Sequence, residues 1–242
     1  MAEPSGQGAH ISGQFNAELD AATSHMLEMG GAVERQVLAA LDALVEMDSG
    51  SAQAVTESDA AINAMEVAID DECFRILARR QPAAGDLRLV LAITKVIIDL
   101  ERIGDESSRV ARQVIALSEV SDTDPARPWS GRIANTVINM LRAALDAFAR
   151  RDAQAALAVA RGDETIDQQM EGAMQALTAI MRRDPAMVDA CVTAMWALRS
   201  LKRVGDHARN IAEYVIYMVE GVDVRHTELE TLLDWLPERE QQ

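Results

Sequence analysis

The sequence has few aromatic residues and no long hydrophobic run. Aromatics make up 3% of its 242 residues although 49% are hydrophobic, so a core must be built from Ala, Leu, Val, Ile and twelve Met. That composition is typical of long packed helices. No stretch approaches the roughly 18 uncharged apolar residues that a membrane span needs, and the first ten residues lack the basic start and apolar run of a secretory signal. These absences predict a soluble protein.

Cysteine and basic residues are also scarce. Cys73 and Cys191 lie far apart in apolar-periodic segments, which indicates neither a disulfide framework nor a thiolate metal site and predicts a cytoplasmic location. Lys and Arg number 23 against 39 Asp and Glu, for a formal net charge of -16. Nucleic acid and anionic membranes repel such a surface. Cations and basic protein surfaces are the natural partners, unless the acidity serves only solubility.

One string of thirteen residues is written twice, about a hundred residues apart. Residues 99–111 read DLERIGDESSRVA and residues 200–212 read SLKRVGDHARNIA. Aligned without gaps, they share Leu100/Leu201, Arg102/Arg203, Gly104/Gly205, Asp105/Asp206 and Ala111/Ala212. A repeat at this spacing fits a duplicated unit of ordinary domain size.

The apolar residues around the first string recur in alternating steps of four and three, as the a/d positions of a long packed helix do. They are Leu89, Ile93, Val96, Leu100, Ile103, Ser107, Val110, Val114 and Leu117. The second string behaves alike. Turn and proline signals then predict six long antiparallel helices, at residues 14–48, 52–80, 84–119, 129–150, 153–182 and 185–219.

The pattern predicts an all-α protein of two tandem three-helix bundles related by internal duplication. The stretch SDTDPARP, with two prolines, breaks the periodicity at the middle of the chain and is the best linker. We therefore expect one bundle in residues 1–120 and a second in residues 128–242, which ends in an irregular tail whose middle forms a short helix.

The repeated strings carry the chemistry that stands out. Glu101 and Asp105 are four apart, so both leave one face of a helix, where like charges disfavour it. Gly104 between them costs about 1 kcal/mol relative to Ala, but lets a neighbour approach the backbone closely. Carboxylates converging there suit divalent or ferric metal ions. Asp59 and Glu66 are the candidates to face them.

In the second half, Asp163 and Asp167 are the facing acids for Asp206, but Lys202 stands where Glu101 stands in the first. A protonated lysine cannot ligate a metal and repels cations. His207 and Asn210 lie on the same turn. The alternative for both halves is a solvated acidic face paired with nearby arginines, namely Arg102, Arg109, Arg203 and Arg209.

The string LERIGD, repeated in two predicted three-helix bundles, resembles the PhoU family of phosphate-transport regulators. The segments MEVAIDDECFRILARRQPAAGDLRLV and NIAEYVIYMVEGVDVRH also look like its proteobacterial branch, and the resemblance covers nearly the whole chain. It implies a cytoplasmic, non-enzymatic negative regulator of phosphate uptake and of the phosphate-starvation response. Its expected partners are the ATPase subunit of the phosphate ABC transporter, a phosphate-sensing histidine kinase and further copies of itself, with membrane contact only through these partners.

The resemblance also implies metal sites, because family members bind metal clusters through repeated E/D-x-x-x-D motifs. Here these motifs map onto Glu101/Asp105 and onto Asp163/Asp167 with Asp206, and Fe, Zn, Mg or Mn are the candidate metals. Lys202 and Asn63 depart from the pattern by standing where acids are expected.

Two enzyme-like alternatives are weaker. A ferritin-like metal store or di-iron protein uses Glu-x-x-His pairs on facing helices, and the sequence contains none. A phosphoryl-transfer enzyme would need a Gly-rich phosphate loop or a nucleophile paired with a base, and neither pattern occurs. We interpret the larger aromatics as core or interface anchors rather than ligand platforms; they are Phe15, Trp129, Trp196, Tyr214 and Tyr217.

Overall fold

The computed structural model describes residues 7–224, with side chains for residues 13–162 and 164–224. These residues form seven α-helices and one short 3-10 turn, without a strand. The all-α prediction is confirmed. The predicted short helix in the tail falls after residue 224, outside the described residues.

The first half is a three-helix bundle of α1 (Gln7–Glu46), α2 (Ser49–Arg80) and α3 (Ala84–Val120). The turn between α1 and α2 is tight because Asp48 caps α2, its carboxylate accepting hydrogen bonds from the backbone N–H groups of Gly50 and Ser51 at 2.9 and 3.2 Å. Gln81 ends α2 with a left-handed φ of 50°, just before Pro82.

The second half repeats this scheme with α4 (Arg127–Arg150), α5 (Ala153–Arg161), α6 (Asp163–Arg183) and α7 (Val188–Glu220). The one departure is that the predicted helix at 153–182 divides at Gly162. The chain turns tightly there, since the Gly162 N–H donates to the Val159 carbonyl at 2.9 Å. A Cβ at this position would lie only 3.2 Å from that carbonyl oxygen, so a residue without a side chain favours the break.

The halves share one hydrophobic core across the antiparallel pair α3 and α7. These two helices contact each other more extensively than any other pair among residues 7–224. The a/d residues predicted on α3 are confirmed as buried. Since the core is continuous across the pair, the division into domains at 1–120 and 128–242 stays a prediction.

The predicted linker breaks the helices as expected, but it is anchored rather than loose. The carboxylate of Asp124 is buried and accepts hydrogen bonds from the backbone N–H of Ala126 at 2.8 Å and the hydroxyl of Ser130 at 2.7 Å. Burial raises the pKa of Asp124 above its usual value, against the effect of these hydrogen bonds. The connection therefore fixes where α4 begins.

No helix within residues 7–224 combines the length and the apolar character needed to cross a bilayer.

The buried face of α3 yields a stability prediction. Ile103 is fully buried whereas Ile98, on the same helix, is 46% exposed. Replacing Ile103 by Ala leaves a cavity in the core and should lower the free energy of unfolding by about 2–5 kcal/mol, measured by urea denaturation followed by circular dichroism. The control Ile98→Ala should stay within about 0.5 kcal/mol of wild type. Equal losses in the two variants would contradict the assignment of the buried face.

Candidate functional site

The two repeated strings lie opposite each other at the centre of the α3–α7 contact. Asp99 on α3 is buried, and its Oδ1 lies 2.6 Å from Nδ1 of His207 on α7. The amide of Asn210 donates to the same oxygen at 3.0 Å. Three polar side chains are thus joined across the interface by contacts between residues over a hundred positions apart.

A second polar contact follows along the same interface. Glu106 on α3 is 2% exposed, and its Oε1 is shared by Arg109 on its own helix and by Arg203 on α7, the latter at 3.0 Å. A buried carboxylate is tolerated only when charges or hydrogen bonds compensate it. Its other oxygen, Oε2, finds no hydrogen-bond partner among the described residues.

The alternative prediction, in which nearby arginines pair with the acids of the repeated strings, is confirmed in part. Arg109 lies 3.5 Å from Asp105, and Arg209 pairs with Glu213 at 2.9 Å. Yet Arg203 binds Glu106 rather than an acid of the predicted metal motif. The arginines therefore serve the helix interface as much as the acidic face.

The first-half acids lie on α2 and α3, and the charges of three of them act on Glu101. We call Asp59, Glu66, Glu101 and Asp105 the first-half acidic groove. Burial raises the pKa of Glu101 above its usual value, and the charges of Asp105, Glu66 and Asp59 raise it further against the lowering effect of Arg102. The predicted facing acids thus lie close enough to act on Glu101 electrostatically.

Glu66 is perturbed in the same direction. Burial is the main cause of its raised pKa; Asp70 adds to it and Arg102 opposes it. Two carboxyls on neighbouring helices therefore have raised pKa values, chiefly because burial disfavours their charged forms and secondarily because other acids lie nearby.

Gly104 has the close-approach role predicted for it. A Cβ there would lie 3.0 Å from Oε1 of Gln36 on α1 and 3.5 Å from Oδ1 of Asp59 on α2, so three helices meet at this glycine. The Gln36 amide donates to Asp59 at 3.3 Å and to Ser108 at 3.3 Å.

Gln36 is a residue that the sequence reasoning missed. It is buried, and its Oε1 finds no hydrogen-bond partner within the described part of the chain. The signal was present in the sequence: Gln36 is a polar residue inside an apolar stripe of α1, next to Val33 and Val37. Its amide oxygen is an uncharged hydrogen-bond acceptor beside the first-half acidic groove.

The second-half counterpart has a different chemistry. Lys202 bridges two of the predicted ligands, its ammonium lying 3.1 Å from Asp167 Oδ1 and 2.8 Å from Asp206 Oδ1. The side chain of Asp163, the third, lies outside the described residues; its backbone begins α6. The lysine thus supplies a covalently attached positive charge between these carboxylates.

The glycine of the second string is also enclosed by different neighbours. A Cβ at Gly205 would overlap Ile166 Cδ1 and lie 3.4 Å from Val137 Cγ1. Val137 thus takes the position beside Gly205 that Gln36 holds beside Gly104. The surroundings of Gly205, which we call its glycine cradle, therefore lack the amide oxygen. Apolar packing replaces polar donors there.

Neither group of acids is preassembled as a metal centre. Among the described residues, no three His, Cys, Asp or Glu side chains are grouped so that they could hold a metal ion. The first-half acidic groove would therefore have to draw its carboxylates inward around a cation.

The aromatic residues divide into two classes. Phe15, Trp129 and Tyr214 pack against the core, as core anchors should. Trp196 instead is 54% exposed on α7. Tyr217 lies on α7 beneath the ammonium of Lys95, which is 5.0 Å from its ring centroid.

Comparisons with known proteins agree with the duplicated architecture. The family model described as the PhoU domain matches residues 26–114 and again residues 131–215. A Pseudomonas putida protein named phosphate-specific transport system accessory protein PhoU homolog is 54% identical over 92% of this chain and 87% of its own. The Escherichia coli K12 phosphate-specific transport system accessory protein PhoU is 43% identical over 93% of this chain and 94% of its own.

Solved structures show the same fold. The crystal structure of PhoU from Pseudomonas aeruginosa superposes with a TM-score of 0.83 at 53% identity, covering 86% of this chain and all of that one. The phosphate transport system regulatory protein PhoU from Streptococcus pneumoniae gives 0.81 at 29% identity, covering 87% of this chain and 99% of that one. Since the family model matches both halves and the relatives align along nearly their whole length, the chain belongs to the PhoU family, whose named members are accessory and regulatory proteins of phosphate transport.

Proposed function

We propose that this protein is a cytoplasmic negative regulator of phosphate uptake and of the phosphate-starvation response, acting as an adaptor. Its partners are the ATPase subunit of the phosphate ABC transporter and a phosphate-sensing histidine kinase, and it reaches the membrane only through them. The observation that carries the proposal is the double match of the PhoU domain, together with relatives named as accessory proteins over nine-tenths of this chain.

The character of the chain supports docking rather than catalysis. Its relatives are named as accessory or regulatory proteins, and its long helices present broad charged faces. With a formal net charge of -16, association with basic partner surfaces would be accelerated by charge complementarity. Assembly into dimers or higher oligomers is part of the same proposal, since an adaptor gains avidity when several copies engage one complex.

We further propose that the first-half acidic groove binds a divalent or ferric metal ion, with Fe, Zn, Mg and Mn as candidates. Three observations support it: the acids of α2 and α3 offer carboxylate oxygens, their charges add to burial in raising the pKa of Glu101, and Gln36 Oε1 is an unpaired acceptor nearby. Since no three of the described acids are grouped to hold an ion as they stand, binding would require them to move together. A bound cation would neutralise the groove and draw α2 toward α3.

The second half fits a metal less well. Lys202 holds Asp167 and Asp206 at 3.1 and 2.8 Å, and an ammonium in that position repels a second cation. A metal site at Asp163, Asp167 and Asp206 stays a prediction, with Lys202 against it. The proposed metal function is therefore assigned to the first half.

The adaptor role predicts that Asp105→Ala, in a strain lacking the natural copy, loses repression of a phosphate-starvation reporter in phosphate-rich medium. Asp105 lies in the first-half acidic groove and forms an i,i+4 ion pair with Arg109. Circular dichroism of the purified variant should show unchanged helicity, because both groups of this pair are about two-fifths exposed.

The matched control is Asp146→Ala, which breaks the i,i+4 pair with Arg150 on α4 and should repress like wild type. In parallel, the wild-type chain should recover the transporter ATPase or the kinase from membrane extracts at low salt. Full repression by folded Asp105→Ala would remove the groove from the function. Recovery of neither partner, with both present in the extract, would remove the adaptor role.

The metal proposal predicts that replacing Glu101 by Gln raises the stability of the metal-free protein but weakens metal binding. Because the folded-state pKa of this carboxyl is raised, its charged form is disfavoured in the folded protein at neutral pH. In chelator-treated protein, Glu101→Gln should raise the urea midpoint at pH 7. The gain should disappear as the pH falls through the folded pKa, where the wild-type carboxyl is itself protonated.

The same variant should bind less metal than wild type in calorimetric titrations with Mn²⁺ and Zn²⁺. Glu171→Gln, an exposed position on α6, is the control and should change neither quantity. A Glu101→Gln variant that retains wild-type metal affinity would place the metal elsewhere. A variant that is less stable than wild type at pH 7 would contradict the raised pKa of Glu101.

A further inference from the structure

An open groove of about 650 Å³ lies between α6 and α7 and takes no part in the proposed metal site. Its floor is apolar and includes Met170 and Met174 from α6 with Val192, Met195 and Trp196 from α7. Methionine side chains are flexible and polarisable, so a surface built from them adapts to the shape of a bound partner.

The groove exposes apolar side chains that a soluble surface normally hides. Trp196 is 54% exposed, and Val192 and Val188 are 40% and 38% exposed along the same helix. The guanidinium of Arg199 lies 5.7 Å from the Trp196 ring centroid, an arrangement that favours a fixed orientation of the indole. A contiguous exposed apolar patch of this kind marks an interaction surface, and tryptophan is enriched among the anchors of such surfaces.

The charged side chains that line the groove are mainly basic, although the chain as a whole is acidic. The lining contains Arg199, Lys202 and Arg203 against one carboxylate, Asp206, whereas the whole chain carries a formal charge of -16. Lys202 is held by Asp167 and Asp206, and Arg203 by Glu106, so their positions are fixed and their charges are partly offset. Arg199 instead lies against the Trp196 ring and is the main cation presented to a partner. A partner that fits this surface carries acidic groups beside an apolar face.

The duplication provides an internal comparison. Ile62 contacts Gly104 as Ile166 contacts Gly205, so these two isoleucines occupy matching positions on α2 and α6. Counting one and two turns further along each helix pairs Glu66 with Met170 and Asp70 with Met174. On α3 and α7, the repeated strings pair Glu101 with Lys202. The same face of the two halves has thus become acidic in one and apolar with basic edges in the other, which suits ligands of opposite chemistry.

We propose that the α6–α7 groove binds an amphipathic helix of a partner protein, with its apolar side on Trp196 and the methionines and its flanking acidic residues beside the three cations. From Val192 to Asp206 the α7 wall is about 21 Å long at about 1.5 Å per residue, which accommodates a helix of about four turns. This is recognition of a helix in a groove. The inference rests on the proposed adaptor function and deepens it by assigning one surface to one class of partner.

The test uses the full chain and two fluorescein-labelled 18-residue helical peptides of defined sequence. Both place Leu at i, i+3, i+4 and i+7; one carries Glu at the flanking positions and the other carries Lys. Fluorescence anisotropy should show the Glu peptide binding at least tenfold more tightly than the Lys peptide, with the difference shrinking as salt rises.

Two variants locate the site. Trp196→Ala should weaken binding of the Glu peptide at least tenfold, and Arg199→Glu should reduce its preference over the Lys peptide. Phe74→Ala is the matched control, because Phe74 is 69% exposed on α2 of the other half and should leave binding unchanged. Circular dichroism should show wild-type helicity for all three variants, since the substituted side chains are on the surface.

The proposal is overturned by absent binding of the Glu peptide, by equal binding of the Lys peptide, or by equal binding to Trp196→Ala. Two other results would show that a different group binds in the groove. A dimer that Trp196→Ala dissociates in sedimentation would assign the groove to a second copy. A tenfold gain in peptide affinity on deleting residues 225–242 would assign it to that segment of the chain.

Failure of this proposal can be told apart from failure of the adaptor function. The peptide assay contains neither transporter nor kinase, so a negative result removes the groove and leaves repression and partner recovery intact. Conversely, a protein that binds the Glu peptide but recovers no partner from membranes retains the groove and loses the adaptor role.

Discussion

The antiparallel packing of α3 on α7 is the constraint on which the rest of the molecule depends. It joins the two halves through a continuous apolar core and through buried polar contacts of Asp99 and Glu106. Removing one partner of a buried charge pair costs far more than the pair contributes when intact. These contacts therefore fix the register of the two helices, and with it the positions of everything displayed on their outer sides.

The duplication is useful because it is imperfect. In the aligned strings Asp99 matches Ser200, and Glu106 matches His207. Asp99 thus meets His207 on α7, where an identical string would place a second carboxylate. Glu106 meets Arg203, which both strings share as Arg102 and Arg203. Divergence between the copies made the central interface complementary, and gave the two outer faces different charges.

Lys202 and Glu101 illustrate how one substitution changes a site. In the second half the ammonium of Lys202 lies between Asp167 and Asp206 and offsets part of their charge. In the first half burial raises the pKa values of Glu101 and Glu66, and neighbouring carboxylates raise them further. The second half thus has a covalently attached cation between its acids, whereas the first half has the carboxyl of Glu101 at the matching position. The same backbone geometry therefore supports a permanent bridge in one half and, as we propose, a regulated one in the other.

The sequence by itself determined the helices, the duplication, the family and the facing of Asp59 and Glu66 toward Glu101, because apolar periodicity and repeat spacing are written locally along the chain. It did not determine the break at Gly162, the unpaired oxygen of Gln36, the contact of Asp99 with His207 or the exposure of Trp196. Those features depend on which helix faces which, and that is decided when side chains distant in sequence pack into a shared core. The sequence placed acids in one half where the other has methionines, but only tertiary structure could set those methionines beside an exposed Trp196 in one groove.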